Sequence, residues 1–193
     1  MEKTNEINAL TKECIVTALL RLMDEKDYYD ITITDITSIA GVSRMAYYRN
    51  YKTKDDILIG KLVDEERKLK QSIPHSDDVS LFDVILYISN FIQENADVIN
   101  AVYAARLTHR LTDLLNDRIY SYFPVTSILK EGKYAVSFFV GAILSVFRLW
   151  IDEGMEETPE EISKIIYTLI ARENAMEYAV MPEEEKSDCS LRK

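Results

Sequence analysis

Along nearly all of the chain, apolar positions recur at three- and four-residue spacing and never alternate with polar ones over a long run, which predicts helices and no strands. Ile7, Leu10, Cys14, Ala18 and Leu22 give a first helix, over 5–25, one core-facing stripe. Residues 32–54, TITDITSIAGVSRMAYYRNYKTK, read as two short helices around a tight turn. Thr32 can cap the first of them, with Asp35 three residues on completing a capping box. Ile36 and Ile39 give it an inward face, and Gly41 supplies the left-handed freedom that ends it. Ser43 is suited to cap the second helix, 44–50, which is too short and too polar to serve packing alone.

A long helix follows over 53–72, with Ile57, Leu58, Leu62 and Leu69 inward and the mixed-charge run from Asp64 to Lys70 as a solvated face. Pro74, Ser76, Asp77 and Asp78 make 73–79 a loop. Helices are then predicted over 81–95 and 96–107, and around Leu111, Leu114, Leu115 and Ile119, before Phe123 and Pro124 break the chain. The most apolar helix spans 131–152, with Ser137, Gly141 and Ser145 forming a line of small residues four apart. Gly154 ends it, and Thr158, Pro159 and Glu161 form a strong start for a last helix. There Ile162, Ile165, Ile166 and Leu169 form the apolar face. The fold class is all-α.

Composition agrees: with 47% hydrophobic residues, 5 Gly and 4 Pro in 193 residues, the chain can bury a large core between long helices. No stretch approaches the roughly 18 uncharged apolar residues of a membrane span, and the charged N-terminus lacks the apolar centre of a signal peptide. Cys14 and Cys189 are expected to be free thiols, consistent with a reducing cytoplasm. The net charge is −10, yet residues 41–54 hold Arg44, Arg49, Lys52 and Lys54 and no acid. Most of the negative charge lies beyond residue 75, and charge at that remove is screened over about 8 Å at physiological salt. A short basic helix after a glycine turn, interleaved with Tyr47, Tyr48 and Tyr51, suits a major groove, with arginine reaching base edges and tyrosine hydroxyls and lysines holding phosphates.

Thr32 to Ile36, then Ala40-Gly-Val-Ser43, then Tyr47, Tyr48, Tyr51, Lys54, Ile57 and Leu58 together resemble the N-terminal domain of the TetR/AcrR-type regulators. The match covers about 7–62. The resemblance implies an N-terminal three-helix helix-turn-helix DNA-binding domain (1–53), a helical bundle for effector binding and dimerisation (54–178), and a disordered tail (179–193). It carries DNA contacts onto Thr32, Thr34, Ser43, Arg44, Met45, Ala46, Tyr47, Tyr48, Asn50 and Lys54. Asp27 stands where the family favours a left-handed glycine, and Ala46 where it commonly has a threonine. The stretch from Gly141 to Glu161 is similar to the C-terminal domain of TetR-type regulators from low-GC Gram-positive bacteria.

Tyr87, Phe91, Tyr103, Arg106, His109 and Phe138 are candidate linings of an effector pocket; the plainer reading of Arg106, His109 and Arg110 is surface charge beside a ring. Ser137, Gly141, Ser145, Trp150, Ile162 and Ile166 are candidates for a dimer interface built as a four-helix bundle, unless the two apolar helices close only the chain's own core. The expected partners are a double-stranded DNA operator, a second copy of the chain and a small-molecule effector, with no membrane. The expected function is a repressor that an effector releases from a near-palindromic operator; the alternative is a regulator-like protein that binds a protein partner in place of DNA, for instance as the coactivator of an enzyme. With two histidines and no catalytic triad, phosphate loop or metal cluster, the chain carries no candidate catalytic residue, metal site or cofactor.

Overall fold

In the computed structural model, which describes residues 2–72, 80–122 and 133–180, capping chemistry sets where several helices begin. The Thr32 hydroxyl accepts the Asp35 N–H while the Asp35 carboxylate accepts the Thr32 N–H. Thr53 with Asp56, Ser80 with Asp83 and Thr158 with Glu161 repeat the arrangement. Each box satisfies two N–H groups that a helix start leaves unpaired, a cap being worth about 1 kcal/mol. Among the described residues there is no strand, and the α-helices are α1 (Glu2–Glu25), α2 (Ile33–Ala40), α3 (Arg44–Asn50), α4 (Asp55–Ser72), α5 (Leu81–Glu94), α6 (Ala96–Ala104), α7 (Thr108–Tyr122), α8 (Lys133–Asp152) and α9 (Pro159–Val180).

Between α1 and α2 a 3-10 turn, Tyr28–Asp30, replaces the left-handed ending expected at Asp27. Asp27 instead has φ −57° and caps that turn by accepting the Tyr29 N–H at 2.8 Å. The predicted loop at 73–79, with His75, and the break at Phe123 and Pro124 lie outside the described residues, as do Cys189 and the tail from 181.

The chain divides into two compact units, one made of Met1–Pro74 and Glu94–Gly141, the other of His75–Gln93 and Ala142–Lys193. In the first, α1 packs against α2, α3, α4 and α6, and α4 against α6. Its interior holds Ile15, Leu19, Ile36, Tyr47, Ile57, Leu58, Leu62 and Val102. The inward stripe of α1 starts later than its periodicity predicts: Ile7 and Leu10 are 62% and 66% exposed, while Ile15, Val16, Ala18, Leu19 and Leu22 carry the packing. Ile39, expected inward, is exposed as well. Asp64 and Glu65 are tied rather than merely solvated: Lys12 pairs with Asp64 at 2.7 Å, and Lys61 joins Glu13 to Glu65.

The second unit is built around Trp150, 1% exposed, with Ile85, Phe147, Ile162 and Ile166. The Trp150 indole N–H donates to the Glu157 carbonyl at 3.0 Å, so its one polar atom is satisfied. Ser89 on α5 and Ser163 on α9 meet in the interior with their hydroxyls 2.8 Å apart, a pair of small residues where two helices approach closely. Among the described residues, no helix is long and apolar enough to cross a membrane.

Candidate nucleic-acid interface

The candidate site is assembled on α2, α3 and the turn between them. Gly41 has φ 65° and ψ 28°, and its N–H reaches back to the carbonyls of Ser38 and Thr37 while the Val42 N–H donates to Thr37. Only glycine adopts that conformation without a steric cost, so the turn closes in the fewest residues. Ser43 then caps α3, its hydroxyl accepting the Ala46 N–H at 3.1 Å. The cap leaves Arg44 and Met45 on the first turn, both exposed, Met45 at 73%.

Beneath the helix, Tyr47 is fully buried, its ring edge-on to Tyr48 and tilted against Tyr51. This corrects the expectation that Tyr47 touches DNA: it is a core residue, and its hydroxyl has no hydrogen-bond partner among the described residues. Burial pushes the Tyr47 phenol up to about 12. Tyr48, half exposed, stands on the outer face with Thr32, Thr34, Ser43 and Arg49. Ala46 and Asn50 are half-buried, and the Asn50 side-chain amide donates to the Ala46 carbonyl.

Lys54 requires a second correction. Its ammonium does not face outward but donates to the carbonyls of Tyr28, Tyr29 and Ile31, and lies 4.4 Å from the centroid of the Tyr28 ring. Next to it, Asp55 accepts the Tyr28 hydroxyl, so two consecutive residues grip the 3-10 turn. Lys54 thus positions the head from within. The exposed cations of the face are Arg44, Arg49 and Lys52, none in an ion pair among the described residues. Arg49 and Lys52 were visible in the charge of 41–54 but were not among the candidate contacts. Lys26, also unanticipated, pairs with Asp35 at 2.7 Å. That bond, with those from Thr32, lowers the Asp35 carboxyl to about 2.

The remaining candidates fall elsewhere. Tyr87 and Phe91 belong to one unit; Tyr103, Arg106, His109 and Phe138 belong to the other. Arg106 and His109 are exposed, and Arg106 has the left-handed φ of 57° at the end of α6. Phe138 is exposed on α8 with Ser137, Gly141 and Ser145. Trp150, Ile162 and Ile166 correct the interface reading: they are buried in the core of their own unit and offer no surface to a second chain.

Two capped short helices about a left-handed glycine, the second exposed and basic, define a helix-turn-helix protein. The TetR_C_8 family, described as a transcriptional regulator C-terminal region, matches residues 80–172. The HTH-type transcriptional regulator YwcC of Bacillus subtilis (strain 168), itself uncharacterized, is 23% identical over 146 residues, which are 75% of this chain and 60% of that protein. The chain therefore spans under two thirds of the length of that relative. A TetR-family regulator from Streptomyces coelicolor shares the fold, with a TM-score of 0.62 at 21% identity over 94% of this chain and 89% of the other. The dihydroxyacetone kinase operon activator DhaS is also similar, with a TM-score of 0.57 at 18% identity over 84% of this chain and 95% of the other. Residues 80–172 thus match a transcriptional regulator C-terminal region, and the chain shares its fold with a TetR-family regulator.

Proposed function

We propose that the protein is a dimeric repressor that binds a near-palindromic DNA operator and is released by a small-molecule effector. Residues 1–53 would read DNA and residues 54–178 would dimerise and bind the effector. One observation carries the reading: the capped helix α3 and the bend after it present Arg44, Arg49 and Lys52 outward in a stretch of 14 residues, 41–54, without an acid. In a major groove, Arg44 would face a base edge, a guanine offering the two acceptors that a guanidinium fits. Met45 and Ala46 would face bases beside it. Thr32, Thr34, Ser43, Tyr48 and Asn50, with Arg49 and Lys52, would hold phosphates.

Dimerisation fits the exposed face of α8, where Ser137, Gly141 and Ser145 lie with Tyr134, Phe138 and Leu149. Small residues there would let a second helix approach closely. The dimer would set two copies of α3 about one DNA turn apart, roughly 34–36 Å, or a multiple of it. An effector would act by preferring a conformation with another spacing, to the extent of its differential affinity for the two.

The test is selection of duplexes from a random pool, followed by titration of the recovered duplex at several salt concentrations. An inverted repeat is expected. The log–log salt slope should approach about −4 if Arg49 and Lys52 of both copies meet phosphates. Arg44→Ala should relax the preference at one position of each half-site, a bidentate pair being worth about 1–3 kcal/mol of discrimination. A confirmed dimer that recovers no motif and shows no salt-dependent binding would refute the reading and favour a protein partner. A promoter fusion with and without the protein reads the sign of regulation.

A further inference from the structure

Met45, 73% exposed, is the most exposed of the large apolar side chains on α2 and α3, ahead of Tyr48 and Ile39, and it stands on the first turn of α3 between the exposed Arg44 and the half-buried Ala46. A single exposed apolar residue is unremarkable on an ordinary surface. On a face that closes on a duplex it is not neutral, because docking strips the water from both the thioether and whatever lies opposite it. Most of the major-groove edge consists of hydrogen-bonding atoms: N7 and O6 of guanine, N7 and the amine of adenine, the amine of cytosine, O4 of thymine. Against any of these, methionine would remove water and return no hydrogen bond, which is costly. One group of the groove is apolar, the C5 methyl of thymine.

We infer that Met45 is a specificity-determining residue that reads a thymine C5 methyl in each operator half-site, near the base read by Arg44. The inference rests on the DNA-binding reading above and adds the chemical feature recognised. Methionine suits the role because its unbranched thioether conforms to a small apolar target. Burying one methyl is worth about 0.8 kcal/mol, which is about a fourfold change in affinity per half-site and about fifteenfold for a symmetric pair.

The experiment uses the duplex recovered by selection and replaces each thymine in turn, symmetrically in both half-sites, by deoxyuridine. That change deletes the methyl and leaves pairing and the hydrogen-bonding edge intact. At one position the substitution should weaken binding by the full chain about fifteenfold. Met45→Ala, an exposed substitution that leaves the core untouched, should bind thymine and deoxyuridine forms of that position equally. Overturning results are a recovered motif whose deoxyuridine forms all bind like the parent, or a deoxyuridine penalty that Met45→Ala keeps in full. Recovery of no motif at all overturns the DNA-binding reading and this inference with it, so the two failures are distinguishable.

Discussion

Replacing Lys54 by methionine keeps its aliphatic stem and removes only the ammonium, separating two roles that the same residue could have. As a phosphate clamp it would contribute to DNA affinity and little to stability. Its bonds to the Tyr28, Tyr29 and Ile31 carbonyls, the last at 3.0 Å, and its place over the Tyr28 ring give it the opposite balance. Hydrogen bonds to a charged group contribute about 1.5–3 kcal/mol and an exposed cation–π contact about 0.5–1. Because Lys54 is half-buried and its bond to Tyr29 is solvent-exposed, a net loss of about 2 kcal/mol is expected, nearer the lower bound. For a chain of this size that is a fall in Tm of about 4–8 °C. Thermal or urea unfolding measures the loss, and the salt dependence of operator binding is measured on the same sample. The slope counts cations on phosphates, so Lys54→Met should leave it unchanged even if affinity drops with the stability of the head. Unchanged Tm with a slope shallower by about 2 per dimer would refute the assignment and restore Lys54 to the DNA surface.

Three further outcomes follow from the same geometry. Tyr47→Phe deletes a buried hydroxyl without a partner among the described residues and should stabilise the chain by about 1 kcal/mol in urea unfolding; a loss of that size would mean the hydroxyl is bonded. Arg106→Gly relieves a left-handed backbone at an exposed position, with an expected gain of up to about 1 kcal/mol, and destabilisation would show that the guanidinium does something in the folded state. The Asp35 carboxyl, lowered from 3.8 to about 2 by Lys26 and Thr32, contributes stability that is present above about 4 and lost as pH falls towards 2. Asp35→Asn should flatten the acid limb of the stability curve in that window, and an unchanged limb would refute the pairing.

What the sequence makes legible here is whatever the chain decides within about four residues. The box from Thr32 to Asp35, the left-handed Gly41, the Ser43 cap and the box from Thr158 to Glu161 are all local bonds, and each forms where its residue types indicate. Ser80 with Asp83 and Thr53 with Asp56 follow the same three-residue pattern and are equally local. The failures are of another kind. Lys54 is separated from the carbonyls it bonds by more than 20 residues, so its charge is visible in the sequence but its destination is not. Its neighbours Arg49 and Lys52 have the same charge and stay outside.

The apolar helices show why a contact surface is harder to read in a sequence than a capped turn. A 3.6-residue period identifies an apolar stripe but cannot say whose atoms cover it. On α8, Phe147 and Trp150 are buried by the chain itself, while Tyr134, Phe138 and Leu149 are exposed. Both sets are apolar and recur at helical spacing, so sequence assigned Trp150 to a partner and Phe138 to a pocket with equal warrant. Burial reverses that preference: Trp150 already has its hydrogen bond to Glu157 and its apolar neighbours, leaving a second chain nothing to gain from it. Phe138 and Leu149 still hold apolar area in water, at about 25 cal/mol per Å² removed on contact. A mutation at the α8 surface should therefore change oligomeric state without unfolding the chain, and one at Trp150 should do the reverse.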